Sequence, residues 1–176
     1  MSGQDREFEK AVALYEKRLY GVALRLTSNA DDAAELVQDT FVRAYRAWSK
    51  FRNDSQSYTW MYRIMVNLNK DRLAKLARMR KHETDLLDDQ GNTIEVRDTK
   101  PEPDKRAAQG ELSEVLAAAI ESLPAGYREC VVLKDAEGLS YEEIASVMDI
   151  TVEAVRSRLA RARQQLRQRL APYLKL

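Results

Sequence analysis

Apolar residues recur every three or four positions through most of this chain. In the first half the pattern covers residues 8–26, 31–48 and 58–80, and it resumes at Leu112 in the second half. This spacing is typical of amphipathic helices with one buried face. The few glycines and prolines also favour helix. The predicted fold class is all-α, with two small helical domains joined by an acidic, flexible linker.

The linker is predicted where the helical pattern fails. Residues 82–108 carry net negative charge, a Gln-Gly-Asn turn and a Pro-Glu-Pro sequence, and they lack sustained periodicity. The preceding residues are net positive, although the formal charge of the whole chain is only +1. We therefore expect an N-terminal domain over residues 1–82, a linker over 83–108 and a C-terminal domain over 109–176.

Two helix-start signals lie close together near the C-terminus. Ser140 and Glu143 have the spacing of a capping box, in which each side chain binds the other residue's backbone amide. Thr151 can cap a second helix, with Glu153 in its first turn. Residues 148–150 leave room only for a tight turn. Two short helices joined in this way predict a helix-turn-helix within the C-terminal domain.

The second helix of this pair has the character of a recognition helix. Its apolar face is continuous, and every charged residue from Arg156 onward is basic. Small and hydrogen-bonding side chains near its start suit entry into a DNA major groove. The candidate contacts are Arg156, Ser157, Arg158 and Arg161. The alternative is a solvated basic helix end stabilised by its own dipole.

The first half offers a candidate protein-docking surface. On the helix predicted over residues 31–48, the outer face is acidic and includes Glu35, Gln38 and Asp39. Intrahelical ion pairs such as Asp39 with Arg43 would make this an ordinary solvated face. The residues alone leave docking and solvation equally open.

The third helix offers a candidate surface for single-stranded nucleic acid. Apolar residues cover most of its circumference and leave only a strip of Arg63, Asn67 and Lys70. The aromatic residues Phe51 and Tyr58 flank the polar loop before it. Bases stack on aromatic rings, an Asn can bind a base edge, and cations bind phosphates. Alternatively the aromatic residues are core, as we expect for Trp48, Trp60 and Tyr62.

Composition argues against catalysis, a cofactor and a membrane span. The chain has one histidine and one cysteine, so no metal site or nucleophilic triad can be assembled, and it has no glycine-rich phosphate loop. We predict that the protein is not an enzyme, although paired carboxylates leave a metal-dependent hydrolase as an alternative. Cys130, expected to be a core thiol, excludes an internal disulfide. With no long apolar run, we predict no membrane insertion and a cytoplasmic location.

Three segments together resemble bacterial RNA polymerase sigma factors of the extracytoplasmic-function group. They are Glu-Leu-Val-Gln-Asp-Thr-Phe-Val-Arg-Ala-Tyr at 35–45, the 51–67 segment with Tyr-Thr-Trp-Met-Tyr-Arg-Ile, and the helix-turn-helix segment within 123–159. Their order along the chain, with the acidic segment between the second and third, makes the resemblance specific. Asp149 stands where many helix-turn-helix proteins have Gly, and Asp tolerates the left-handed turn required there.

The resemblance implies a sigma factor that binds core polymerase through the β′ clamp helices and the β flap. Promoter DNA and an anti-sigma factor would be its other partners, with no small-molecule substrate. The implied contacts are Glu35, Gln38 and Asp39 to the polymerase, Phe51, Tyr58, Arg63, Asn67 and Lys70 to the −10 element, and Arg156, Ser157, Arg158 and Arg161 to the −35 element. The main alternative is a helix-turn-helix activator or repressor, which would not need the aromatic loop or Asn67.

Overall fold

The computed structural model describes residues 3–51, 56–88 and 110–174, and this part of the chain is helical without strands. The helices are α1 (Gly3–Thr27), α2 (Ala30–Ala47), α3 (Ser57–Asp88), α4 (Gly110–Glu121), α5 (Ala125–Val131), α6 (Tyr141–Met148) and α7 (Val152–Leu174). A short 3₁₀ turn, Trp48–Lys50, follows α2, and a π-helical segment, Val132–Ala136, continues α5. We call α1–α3 the N-terminal unit and α4–α7 the C-terminal unit.

The N-terminal unit is an antiparallel α1–α2 pair with α3 packed on it. Asn29 separates the first two helices, and its side-chain oxygen accepts hydrogen bonds from the backbone amides of Asp31 and Asp32. Asn is one of the residues preferred at this capping position, so the local sequence accounts for the start of α2. The apolar residues of the three helices meet in one core, whose fully buried members include Leu19, Val22, Ala33, Met61, Tyr62 and Met65.

The third helix is longer than its hydrophobic pattern indicated. It continues to Asp88, so residues 83–88, which we assigned to the linker, are helical. No proline or glycine occurs in this stretch, and so nothing in the local sequence ends the helix earlier. The rest of the predicted linker lies outside the described residues, as do residues 52–55 of the loop before α3.

Tyr45 corrects the predicted core side of α2. Its helical spacing with Ala33, Leu36, Val37 and Phe41 predicts a core position, but Tyr45 is 54% exposed. Its ring lies against that of Phe8, with centroids 5.2 Å apart, and its hydroxyl donates to Asp5 Oδ1 at 3.0 Å. Tyr45 thus packs one face of its ring against the protein while its hydroxyl stays at the surface.

The helix-turn-helix has the predicted caps. Ser140 Oγ accepts from the Glu143 amide at 3.1 Å, and Glu143 Oε2 accepts from the Ser140 amide at 2.8 Å. Thr151 Oγ1 accepts from the Ala154 amide at 3.1 Å. Asp149 ends α6 in the left-handed conformation, at φ 55° and ψ 51°. The tight turn is therefore formed with Asp at the position where Gly is more common.

The two units pack against each other. The most extensive contact between the units joins α3 and α6, and α1 also contacts α4, α5 and the π-helical segment. Tyr62 Oη donates to Glu137 Oε2 at 2.6 Å, and Arg18 Nε donates to the same oxygen at 3.2 Å. Arg128 Nη1 reaches the Leu26 carbonyl at 3.1 Å from the other side. Polar contacts therefore join the units at several points.

Candidate functional site

The acidic face of α2 is open to solvent. Glu35, Gln38 and Asp39 are all exposed, and no ion pair joins Asp39 to Arg43. The intrahelical pairing that would have made this an ordinary solvated face is therefore not formed at Asp39. The one ion pair at the edge of the surface joins Asp32 Oδ2 to Arg72 Nη1 of α3 at 2.8 Å.

A groove of about 310 Å³ runs beside this acidic face, between α2 and α3. Glu35 and Asp39 line one side, while the exposed apolar side chains of Leu76 and Met79 line the other. Arg72 and Lys75 also line the α3 side, so a basic partner would bind the carboxylates of α2, while Leu76 and Met79 offer an apolar contact.

The polar strip of α3 is formed as predicted. Arg63, Asn67 and Lys70 are exposed, whereas the residues between them include the buried Met65 and Val66. The strip thus lies on a part of α3 whose other side chains are mostly buried in the core. Such backing holds the three polar side chains on a rigid element, which favours a defined contact with a ligand.

The aromatic residues near this strip form one cluster. Phe51 stacks on Trp48 at a centroid distance of 5.5 Å and lies 4.9 Å from Trp60. All three rings are half-buried, whereas Tyr62 is buried. Tyr62 is thus the core residue we expected, and the rings of Trp48 and Trp60 are only partly covered. Phe51 is thus a partly exposed member of this cluster.

Two of the five candidate −10 residues already have partners in the C-terminal unit. Tyr58 Oη donates to Glu143 Oε1 at 2.9 Å, and Lys70 Nζ donates to the Met148 carbonyl at 3.3 Å. The bond to Glu143 and burial raise the pKa of Tyr58, with burial as the larger cause. Glu143 has a lowered pKa, chiefly because the Ser140 amide donates to it. Arg63 and Asn67 have no such contact in the described residues.

The start of α7 presents three of its four candidate DNA contacts to solvent. Arg156, Ser157 and Arg161 are exposed. The Arg156 guanidinium lies 5.9 Å from the centre of the Tyr141 ring, a cation–π distance. Arg161 is hydrogen-bonded to Tyr127, and this bond raises its pKa. These partners restrain two long side chains without covering them, which lowers the entropy lost when they bind.

Arg158 is placed differently from the other three. It is half-buried, and its Nη1 would lie 2.9 Å from a Cβ on Gly126. Together with Ser157 and Arg161 it lines a cavity of about 440 Å³ between the start of α5 and α7. Its guanidinium also acts electrostatically on Glu129 and Cys130. Arg158 therefore lies partly buried at the edge of the candidate DNA surface, whereas the other three candidate residues are exposed on it.

One buried polar pair was not predicted from the sequence. Glu129 of α5 and Asn69 of α3 are 1% and 2% exposed, and Asn69 is hydrogen-bonded to the carboxylate. Burial raises the pKa of Glu129 to about 7, although Lys70, Arg158 and Arg128 oppose the shift. Neither residue stands out in the hydrophobic pattern, because the partner of each lies on a helix of the other unit.

Within the described residues, no three His, Cys, Asp or Glu side chains come together as a metal site would require. Cys130 is buried, as expected of a core thiol, with its Sγ 3.4 Å from Met148 Sδ, and desolvation raises its pKa to about 11. Among the helices of the described residues, none is long and apolar enough to cross a membrane.

Both candidate DNA surfaces fall within segments that match known families. Residues 11–79 match the family described as Sigma-70 region 2, and residues 113–166 match Sigma-70, region 4. The first contains the acidic face of α2 and the strip of α3, and the second contains the helix-turn-helix. The order of the two matches is that of the motifs in the sequence.

Similar proteins match along nearly the whole chain. The RNA polymerase sigma-H factor of Pseudomonas aeruginosa is 34% identical over 98% of this chain and 91% of its own length. The ECF RNA polymerase sigma-E factor of Escherichia coli K12 is 35% identical over the same shares.

Two solved structures share the fold. The sigma factor RpoE of Bartonella quintana, in complex with the anti-sigma factor NepR, superposes with a TM-score of 0.66, 28% identity, and coverage of 94% of this chain and 97% of that one. CnrH, in complex with the cytosolic domain of CnrY, superposes with a TM-score of 0.67 and 30% identity. The match covers 97% of this chain and 91% of that one. Motifs, relatives and fold agree: this chain belongs to the extracytoplasmic-function sigma factors, which direct RNA polymerase to promoters.

Proposed function

We propose that this sigma factor reads a promoter in two forms, as duplex at the −35 element and as single strand at the −10 element. The observation that carries this proposal is the pair of surfaces on one chain. An exposed Asn67 stands among buried residues of α3, and exposed Arg156 and Ser157 stand at the start of a capped recognition helix. A repressor would need only the second surface.

At the −35 element, the start of α7 enters the major groove of duplex DNA. Arg156, Ser157 and Arg161 make the contacts. Arg158, which lines the cavity beside them, adds positive charge. Guanidinium groups suit this task because they bind guanine edges or phosphates through two hydrogen bonds. These contacts fix the position of the protein along the promoter.

At the −10 element, the strip of α3 captures a base that has left the stack. Asn67 binds its edge, Phe51 and Tyr58 offer rings for stacking, and Arg63 and Lys70 hold the neighbouring backbone. These contacts exist only with melted DNA. Binding energy therefore favours the open form and drives melting without a catalytic group. In this mechanism the chain has no catalytic residue of its own.

Core polymerase docks on the acidic face of α2. Glu35, Gln38 and Asp39 suit a basic partner surface such as the β′ clamp helices, and Leu76 and Met79 add an apolar contact across the groove. The C-terminal domain would engage the β flap. Exposed charges at such an interface mainly accelerate association and select the partner.

We further propose the organisation and setting in which this binding occurs. Residues 1–82 and 109–176 act as separate recognition domains joined by 83–108, with the helical residues 83–88 extending the first. The chain works in the cytoplasm and is held inactive by an anti-sigma factor, since one similar structure is a sigma factor in complex with an anti-sigma factor.

Transcription with purified components tests the proposal. The chain is added to core polymerase and fragmented genomic DNA of the source bacterium, and the 5′ ends of the transcripts are sequenced. We expect new start sites that share an upstream element at both −35 and −10. If core polymerase gives the same start sites without the chain, the proposal is wrong.

A further inference from the structure

The contact between the two units covers part of the surface proposed to bind melted DNA. Tyr58 and Lys70 are held by Glu143 and by the Met148 carbonyl, both of α6. The exposed residues of α7, Arg156 and Ser157, take no part in this contact. The packed arrangement therefore restricts the −10 surface and leaves the −35 surface free.

The same contact contains an ionisable group that is poorly accommodated as an anion. Glu129 is buried between α5 and α3, and its Oε1 has no hydrogen-bond partner among the described residues. Three cations face it, Lys70 from α3, Arg158 from α7 and Arg128 from its own helix, and the buried Cys130 thiol lies beside it. A buried carboxylate with an unpaired oxygen is costly when charged and much less so when protonated.

We propose that the packed arrangement is a self-inhibited form of this sigma factor, and that loss of a proton from Glu129 favours separation of the two units. The inhibitory meaning rests on the proposed role of Tyr58 and Lys70 at the −10 element. The proton-linked separation itself depends only on the contact between the units.

The direction of the pH effect follows from where the proton binds. In the packed form burial raises the pKa of Glu129 to about 7, and separation returns the carboxyl to water and to its ordinary range near 4.5. The packed form thus binds more protons between these values, and its advantage falls as pH rises through this window. Between pH 6 and pH 8 the ratio of separated to packed molecules should rise about tenfold.

Energy transfer between two dyes measures this ratio in the full chain without DNA or polymerase. Cys130→Ala removes the native thiol, and Arg46→Cys on α2 and Gln168→Cys on α7 provide exposed labelling sites. The fraction of separated molecules is measured from pH 6 to pH 8 at constant ionic strength. In this parent protein we expect the ratio of separated to packed molecules to rise about tenfold from pH 6 to pH 8. An unchanged fraction across the range would overturn the proposal.

Glu129→Gln identifies the titrating group, because it keeps the shape of the side chain and cannot ionise. It should abolish the pH response, whereas Glu142→Gln, at an exposed position of α6, should leave the response unchanged. A full response in Glu129→Gln would contradict the assignment. Circular dichroism confirms that each variant is folded.

A second pair of variants tests the contact if Glu129→Gln does not fold. Tyr62→Phe removes the bond to Glu137 between the units, and Tyr45→Phe removes the bond to Asp5 within the N-terminal unit. The first should raise the separated fraction at every pH and the second should not. Equal effects would overturn the proposal. Because no DNA is present, this outcome is independent of whether the chain reads a −10 element.

Discussion

Asn67 is one of the few exposed polar side chains in the N-terminal half of α3, where most residues pack into the core. Met61, Tyr62, Met65 and Val66 around it are buried, so the backbone that carries Asn67 is fixed by the core. A side-chain amide offers both a donor and acceptors in one plane, which matches a base edge. The position is therefore suited to a contact that must be made in one orientation.

Asn67→Ala should slow open-complex formation about tenfold or more, since a good contact to a base edge contributes roughly 1–3 kcal/mol. The rate is measured by abortive initiation on a promoter found with the wild-type protein. Asp71→Ala, one turn further along α3 and also exposed, is the control and should have little effect. Affinity for core polymerase should be the same in all three proteins, and a parallel loss of that affinity would contradict the specific role of Asn67.

Arg156→Ala should lower the affinity of the holoenzyme for −35 duplex about tenfold, because a restrained guanidinium is lost from the flank of the proposed DNA surface of α7. Arg169→Ala removes an equally exposed cation farther along the helix and serves as the matched control. Footprinting of the −35 region distinguishes the two. An intact footprint with Arg156→Ala would remove this residue from the contact surface.

Residues whose partners are near in sequence were predictable. Asn29 caps α2 and Ser140 pairs with Glu143 because these bonds span two or three positions, which the sequence displays directly. The exposure of Tyr45 and the partial burial of Arg158 could not be predicted in this way. Their surroundings are set by Phe8 and Gly126, which approach them only in the folded chain.

At the scale of elements, α6 depends on its capping box. The helix spans only Tyr141–Met148, so bonds at its ends are a large share of its stability. Glu143 has a second task, since its other carboxylate oxygen accepts from Tyr58 of α3. One side chain thus joins the start of the helix-turn-helix to the neighbouring unit.

Ser140→Ala should lower the free energy of unfolding by about 1 kcal/mol, the usual effect of losing a helix cap. Ser146→Ala makes the same chemical change at an exposed position inside α6 and should be neutral or slightly stabilising. Urea denaturation of both variants measures the difference. Equal midpoints would show that the capping box does not stabilise the folded chain.

The acidic face of α2 should depend on its charge for binding. Asp39→Lys should weaken core-polymerase binding about tenfold, because a cation would then face a basic partner surface. Glu16→Lys reverses an exposed charge on α1, away from the groove, and should bind normally. Binding is measured by titrating labelled protein with core polymerase. If both variants bind alike, α2 is only a solvated face.

At the scale of the whole molecule, the helical class and the two-part organisation follow from hydrophobic spacing and from the acidic break between the halves. The packing of the units does not. Tyr62 meets Glu137, and Glu129 meets Asn69, across separations of many residues, and a buried carboxylate has no recognisable sequence pattern. Long-range contacts between polar residues must be seen in the fold, whereas periodicity and caps are local.

Both DNA surfaces are needed for the central claim that one chain reads duplex and single strand together. A holoenzyme binding measurement on fork-junction DNA tests it most directly. The DNA carries a duplex −35 element and a single-stranded −10 non-template strand, and its matched versions have either element scrambled. We predict that scrambling either one weakens binding about tenfold or more. Binding that depends on the −35 element alone would contradict the account and favour an ordinary helix-turn-helix regulator.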